Sequence, residues 1–151
     1  MKSRLLIALA GAALFSVSTV ASEQTDAMAT VHQFLDGMNK GDMKSALAAC
    51  ADETSIIDSL APHEWHGKGA CETWANAVGA EAQKIGMTDV VFTVKKPTIL
   101  DVAGDSAYAV MPAAYTYKMK GKAGHAGGVF TVALRKEASG WRLTGWAYSG
   151  R

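Results

Sequence analysis

Apolar residues recur at helical spacing over residues 24–39, where Met28, Val31, Phe34, Leu35 and Met38 fall on one face. Asn39-Lys40-Gly41 closes that run, with Gly41 placed to cap the C-terminus. Asp42 offers an N-cap to a short helix that turns Met43, Ala46, Leu47 and Cys50 inward. A strand is predicted over Thr54–Leu60. After a loop, Cys71, Trp74, Ala75, Val78 and Ile85 mark a long third helix that stops at Gly86. From there the period changes to two. Val90, Phe92 and Val94 alternate with polar neighbours, Pro97 interrupts, and Thr98–Val102 resumes. Ala103-Gly104-Asp105 turns the chain into a long strand, Ser106–Lys120. Gly121–Gly128 holds four glycines and reads as a loop. Strands Val129–Lys136 and Trp141–Ser149 are joined by a hairpin turn at Glu137-Ala138-Ser139-Gly140.

Helices segregated from a run of antiparallel strands predict an α+β fold: three N-terminal helices packed on one face of a strongly curved, mostly antiparallel sheet, leaving a conical hollow. Pro112 and the strand glycines suggest the bulges that such curvature needs. The 151 residues fit one domain, and no internal repeat or second-domain linker interrupts them.

The first residues follow a different pattern. Lys2 and Arg4 precede a nearly unbroken apolar run, Leu5–Phe15, and then the small, polar stretch Ser16–Ser22. These are the three parts of a signal peptide, with a cut expected after Ala21 or Ser22, and the apolar run is shorter than the ~20 residues of a spanning helix. Residues 1–22 are therefore read as a leader and 23–151 as the domain, exported to the periplasm or secreted, with no membrane contact after cleavage. Losing Lys2 and Arg4 takes the 15 basic residues to 13 against 14 acids, so the mature chain is near −1. Its basic residues are scattered apart from Lys118, Lys120 and Lys122, which is no footprint for nucleic acid. Cys50 and Cys71 are a bridge, allowed in an oxidising compartment, or two free thiols at apolar helix positions.

One carboxylate stands out. If the strand runs to Leu60, Asp58 shares its face with Ile56 and Leu60, and partial desolvation there suits general acid–base work. If the strand ends early, Asp58 caps the following loop. The predicted pocket wall is apolar. Met111, Ala113, Tyr115 and Tyr117 share a face of the long strand, Phe130, Val132 and Leu134 one of the next, and Trp141, Leu143, Gly145 and Ala147 one of the last. Phe34 and Trp74 add to it from the helices, and Tyr115 and Tyr117 offer hydroxyls to orient a ligand near Asp58. The opposite face of the last strand carries Arg142, Thr144, Trp146 and Tyr148, a composition suited to a protein interface. His63-Glu64-Trp65-His66 reads as a loop at the mouth of the cone with Trp65 as lid or rim. With His125 its imidazoles form only weak metal-ligand spacing, so no metal and no cofactor is expected.

The stretch "FLDGMNKGDMKSALAACADETSIID", then "HGKGACETWA", "VMPAAYTYKMKG" and "GGVFTVALRKEASGWRLTGWAYS", resembles in order and spacing the nuclear-transport-factor-2-like superfamily, its SnoaL-like and ketosteroid-isomerase-like families. The resemblance covers essentially all of the predicted mature chain. It implies a cone-shaped, cystatin-like α+β barrel with an internal pocket and, by family habit, a homodimer. It also places Asp58 where the isomerases keep their base. However, Phe34 and about Val132 stand where those enzymes keep a tyrosine and a protonated aspartate. Neither can donate a hydrogen bond, and loss of one such donor costs ~10²–10³ in rate, which argues against ketosteroid isomerisation. The expected function is binding of a small apolar molecule. The alternative is an isomerase, lyase or cyclase that uses Asp58 as general acid/base on an apolar carbonyl compound.

Overall fold

A computed structural model describes residues 13–150, with side chains from residue 19 onward. Helix α1 runs Ala13–Lys40, α2 Met43–Ala48 and α3 Ala70–Ile85. The strands are β1 Cys50–Ile57, β2 Glu64–Lys68, β3 Met87–Val94, β4 Ile99–Ala103, β5 Ser106–Met119, β6 Lys122–Glu137 and β7 Gly140–Gly150. They form one seven-stranded sheet in the order β2-β1-β7-β6-β5-β3, with β4 also pairing β5. Only the β1–β7 pair is parallel among them. The sheet curls so that α1 packs on β7, β3 and β4 while α3 packs on β1, β2 and β3.

The caps follow local chemistry. Asp42 accepts a hydrogen bond from the Ser45 N–H at 3.1 Å and starts α2. Gly86, at φ 73°, takes the left-handed conformation that ends α3, and its N–H serves the Ala82 and Gln83 carbonyls. Helix α2 folds back on α1 because Gly37 has no side chain. A Cβ there would lie 2.6 Å from the Ala46 nitrogen.

α1 begins well before the expected residue 24. Residues 13–23 contain no Gly or Pro, so nothing in the chain stops the helix from continuing. The predicted leader thus falls partly on residues 1–12, which lie outside the described residues, and partly on the first turns of α1. Ala21 and Ser22 are exposed, and the next side chain, Glu23, holds the sheet. Its carboxylate accepts from the Trp141 indole N–H at 3.0 Å and pairs with the Lys136 ammonium. The Lys136 bond and then the Trp141 bond hold the Glu23 carboxyl below the usual carboxylate range. A depressed folded-state pKa stabilises the fold above the unfolded-state value, and that contribution is lost as pH falls through the folded value. Glu23→Gln should therefore lower the thermal midpoint slightly at neutral pH and leave it unchanged at pH values acid enough to protonate Glu23. Paired melts of the two proteins down the acid limb measure the difference.

Two expectations about the sheet are corrected. The segment 121–128 is not a loop but most of the first half of β6. Two of its glycines lie under aromatic rings: a Cβ at Gly124 would fall 2.6 Å from Tyr117 Cζ and one at Gly128 would fall 2.8 Å from the Tyr148 hydroxyl. Strand glycine marks just such a close approach. Pro112 makes no bulge either, because the β5–β6 register is continuous from Ser106↔Arg135 to Met119↔Lys122. Its carbonyl accepts from the Lys95 N–H at 2.9 Å, so its missing N–H faces the junction where β3 ends and β4 begins. The bulges lie elsewhere. On β7, Ala133 pairs Gly145 while Leu134 pairs Leu143, leaving Thr144 as an extra residue. On β3, the step from Thr88 to Val91 spans only Lys118 to Thr116 on β5, with Asp89 at φ 53°.

Cys50 and Cys71 are joined by a disulfide, Cα–Cα 6.5 Å, that ties the first residue of β1 to the first turn of α3. No described helix is long and apolar enough to cross a membrane.

Candidate functional site

A cavity of about 470 Å³ opens between α1, α3 and the concave side of the sheet. Helix spacing supplies one wall: Phe34 and Met38 recur down α1, and Trp74, Val78 and Ile85 down α3. The strand bulges supply the other. After Thr144 the parity of β7 is reversed, so Trp146 and Tyr148 point inward with Trp141 and Leu143 rather than away from them. The bulge in β3 likewise brings Val90 and Phe92 to the same side as Met87.

The rings form two groups. Trp146 packs against Phe34 with centroids 4.9 Å apart and meets Trp74 at 5.2 Å and 81°. Across the cavity, Phe92 lies edge-on to Phe130 at 5.5 Å and to Tyr148 at 5.4 Å, and Tyr115 stands 6.0 Å from Tyr148. Such edge-to-face contacts add ~0.5–1.5 kcal/mol each beyond burial.

Asp58 lies just past the end of β1 and is half-buried in the cavity wall. Oδ1 accepts from the Leu60 N–H at 2.8 Å, and Oδ2 accepts from the Trp74 indole N–H at 3.1 Å. The residue therefore caps the turn and faces the hollow at once, because β1 ends at Ile57 without changing the alternation that turns Thr54 and Ile56 inward. The Trp74 bond fixes the carboxylate in one orientation. Burial raises the Tyr115 hydroxyl pKa first, with Tyr117 and the Asp58 charge adding to it. Burial, then Tyr115 and Asp58, raises that of Tyr148. The Tyr148 hydroxyl is the one buried side-chain polar atom without a hydrogen-bond partner among the described residues. Asn39 also reaches the cavity, but both ends of its amide are taken by the Phe92 backbone, at 2.8 Å to the carbonyl and 2.7 Å from the N–H.

Several expected positions move. Met111, Val132 and Leu134 are buried in the core and do not border the cavity. Trp141 is core at the Glu23 end. Trp65 is no lid. It sits on β2 opposite Ile56, 7% exposed, because Glu64–Lys68 folds as an edge strand rather than a loop. Tyr117 leaves the cavity and lies over Gly124, in a shallow groove with Asp89 and His125. Trp146 and Tyr148 are turned inward and offer no outer interface. Phe34, Trp74, Tyr115 and Phe130 do border the cavity with Asp58. Met38, Val78 and Met87 join them. The first two continue helical stripes already visible in the sequence, whereas Met87 arrives by way of the β3 bulge.

Residues 27–150 match the family model of the SnoaL-like domain. The chain belongs to that family. Solved structures share the SnoaL-like fold at low identity. A nuclear transport factor 2 (NTF2-like) superfamily protein from Salmonella enterica is 18% identical, TM-score 0.73, over 87% of this chain and 92% of that one. A ketosteroid isomerase-like protein from Erwinia carotovora is 20% identical, TM-score 0.66, over 85% and 95%. The hexachlorocyclohexane dehydrochlorinase LinA-type3 from Novosphingobium barchaimii is 12% identical, TM-score 0.74, over 90% of each chain. No curated protein matches the chain. At these identities the likeness of this SnoaL-like domain to the three structures is one of fold.

Proposed function

We propose that this SnoaL-like protein is exported and that its mature domain holds a small molecule with an apolar body in the cone. The observation that carries the reading is the cavity itself, about 470 Å³, walled mostly by aromatic and aliphatic side chains with the Asp58 carboxylate set among them. An apolar hollow with a few oriented polar groups is the usual form of a small-molecule site. Export is supported by the leader pattern and by the exposure of Ala21 and Ser22 just before the Glu23 clamp. Native mass spectrometry of protein purified from its own compartment should show the mature chain beginning at Ser22 or Glu23, with a bound organic molecule. Ala82→Trp, which places an indole in the cavity opening, should lower occupancy about tenfold or more without unfolding the domain. An undiminished ligand in that variant would remove the cavity from consideration.

A second reading has one observation in its favour. The Asp58 charge acts on two cavity tyrosines, Tyr115 and Tyr148, so a carbonyl held by a tyrosine would lie near a base. Dehydrochlorinase and ketosteroid isomerase-like proteins of the same fold lend it support by analogy. The two readings part at Asp58→Asn. Under the enzyme reading that variant stops exchange of solvent deuterium into the α-carbon of a bound ketone. Under the binding reading the unsubstituted protein shows no such exchange.

A further inference from the structure

We infer that the molecule held in the cone is an organic cation, an alkylated amine on an apolar body, with its ammonium group seated between Asp58 and the surrounding aromatic rings. This rests on the cavity being a ligand site and names the chemistry of what enters it.

Charge is the first argument. The cavity lining contains Asp58 and Glu81 and no Lys, Arg or His. Glu81 is already engaged, 3.0 Å from Lys84 on the same helix. Asp58 has no basic side chain within ion-pair distance among the described residues. Its bonds come from neutral donors: the Leu60 N–H at 2.8 Å and the Ser59 hydroxyl at 3.5 Å on Oδ1, and the Trp74 indole at 3.1 Å on Oδ2. A carboxylate oxygen accepts about two hydrogen bonds, so Oδ2, with the Trp74 indole alone, retains capacity. A partly desolvated carboxylate with no counter-charge attracts a cation and repels an anion.

The walls argue in the same direction. Seven of the lining residues are aromatic. Trp74 and Trp146 meet nearly at right angles beside Phe34, with Trp74 also holding Asp58. Tyr115, Tyr148 and Phe92 form the facing group. Ring faces carry negative quadrupole charge, and a cation over them is stabilised most where water is excluded. The C-terminal turns of α1 and α3 also border the cavity, through Met38 and Asn39 and through Ala82 and Ile85. Helix C-termini are the negative ends of the helix dipole. Carboxylate, ring faces and the ends of α1 and α3 favour a cation; the one opposing feature, the start of α2 at Met43, belongs to a six-residue helix already capped by the Asp42 carboxylate.

Calorimetry with three probes of one shape tests this on the mature, oxidised protein: phenylpropyl trimethylammonium, its neutral analogue with carbon in place of nitrogen, and the carboxylate of matching length. The cation should bind about tenfold or more tighter than the neutral analogue, and the carboxylate weakest. Asp58→Asn, checked for folding by circular dichroism, should reduce the cation's affinity to near that of the neutral probe. The comparison among probes on the unsubstituted protein needs no variant. Equal binding of cation and neutral analogue overturns the charge assignment and leaves the cavity reading in place. Tighter binding of the carboxylate does the same. If no probe binds and no organic molecule co-purifies, both fall together.

Discussion

Trp146→Ala is expected to destabilise the domain by about 3–5 kcal/mol, the range for deleting a large buried aromatic side chain. Trp146 is 5% exposed, sits opposite Val132, and packs on both Phe34 and Trp74. It therefore joins α1, α3 and the sheet at one point, and truncating it also enlarges the cavity. A simple alternating reading of β7 gives the opposite expectation. It puts Trp146 on the outer face with Arg142, where substitution changes stability by about 0.5 kcal/mol or less. The extra residue at Thr144 decides between them. Urea denaturation followed by circular dichroism measures the difference, since the midpoint should fall with little change in slope. A loss below about 1 kcal/mol would place Trp146 on the surface and remove the bulge from the account.

Loss of the Cys50–Cys71 bridge is expected to cost roughly 3 kcal/mol, from the chain-entropy estimate for a closed loop of this length. The sequence separation is 21 residues, and the loop encloses the remainder of β1, the Asp58 turn and β2. The bridge therefore ties down the segment that carries the cavity carboxylate. Stability of a domain this size is about 5–15 kcal/mol, so the change is a large share of it. The denaturation midpoint should drop on adding reductant, whereas a Cys50→Ala/Cys71→Ala protein should melt low and ignore reductant. Thiol titration of the denatured, unreduced protein should find no free thiol. Two free thiols per chain would end this expectation.

Much of the fold was legible along the chain because the signals are local. Asp42 and Gly86 mark helix ends by their own hydrogen bonding and φ preference, and the stripe Met28, Val31, Phe34, Leu35, Met38 follows from 3.6 residues per turn. The early start of α1 was not legible, since residues 13–23 carry no Gly or Pro and their serines and threonine are as compatible with a cap as with a helix interior. The β2 strand was missed because five residues with one buried side chain, Trp65, show no alternation worth reading. The β6 glycines read as a loop because the rings that cover them come from β5 and β7. The candidate site was half legible. Asp58, Phe34 and Trp74 border the cavity, but the inner face of β7 was assigned wrongly beyond Thr144.

The sequence alone determined the element types apart from β2 and the first half of β6, and the presence of an acid beside an apolar strand face, all of which depend on neighbours within a few positions. Tertiary structure decided which aromatics surround that acid. A one-residue bulge reverses every side chain after it, and whether a strand absorbs the bulge depends on its register with partners far away in the chain. Tertiary structure likewise joined Cys50 to Cys71 and brought the Trp74 indole to Asp58, contacts between segments whose separation no local pattern encodes.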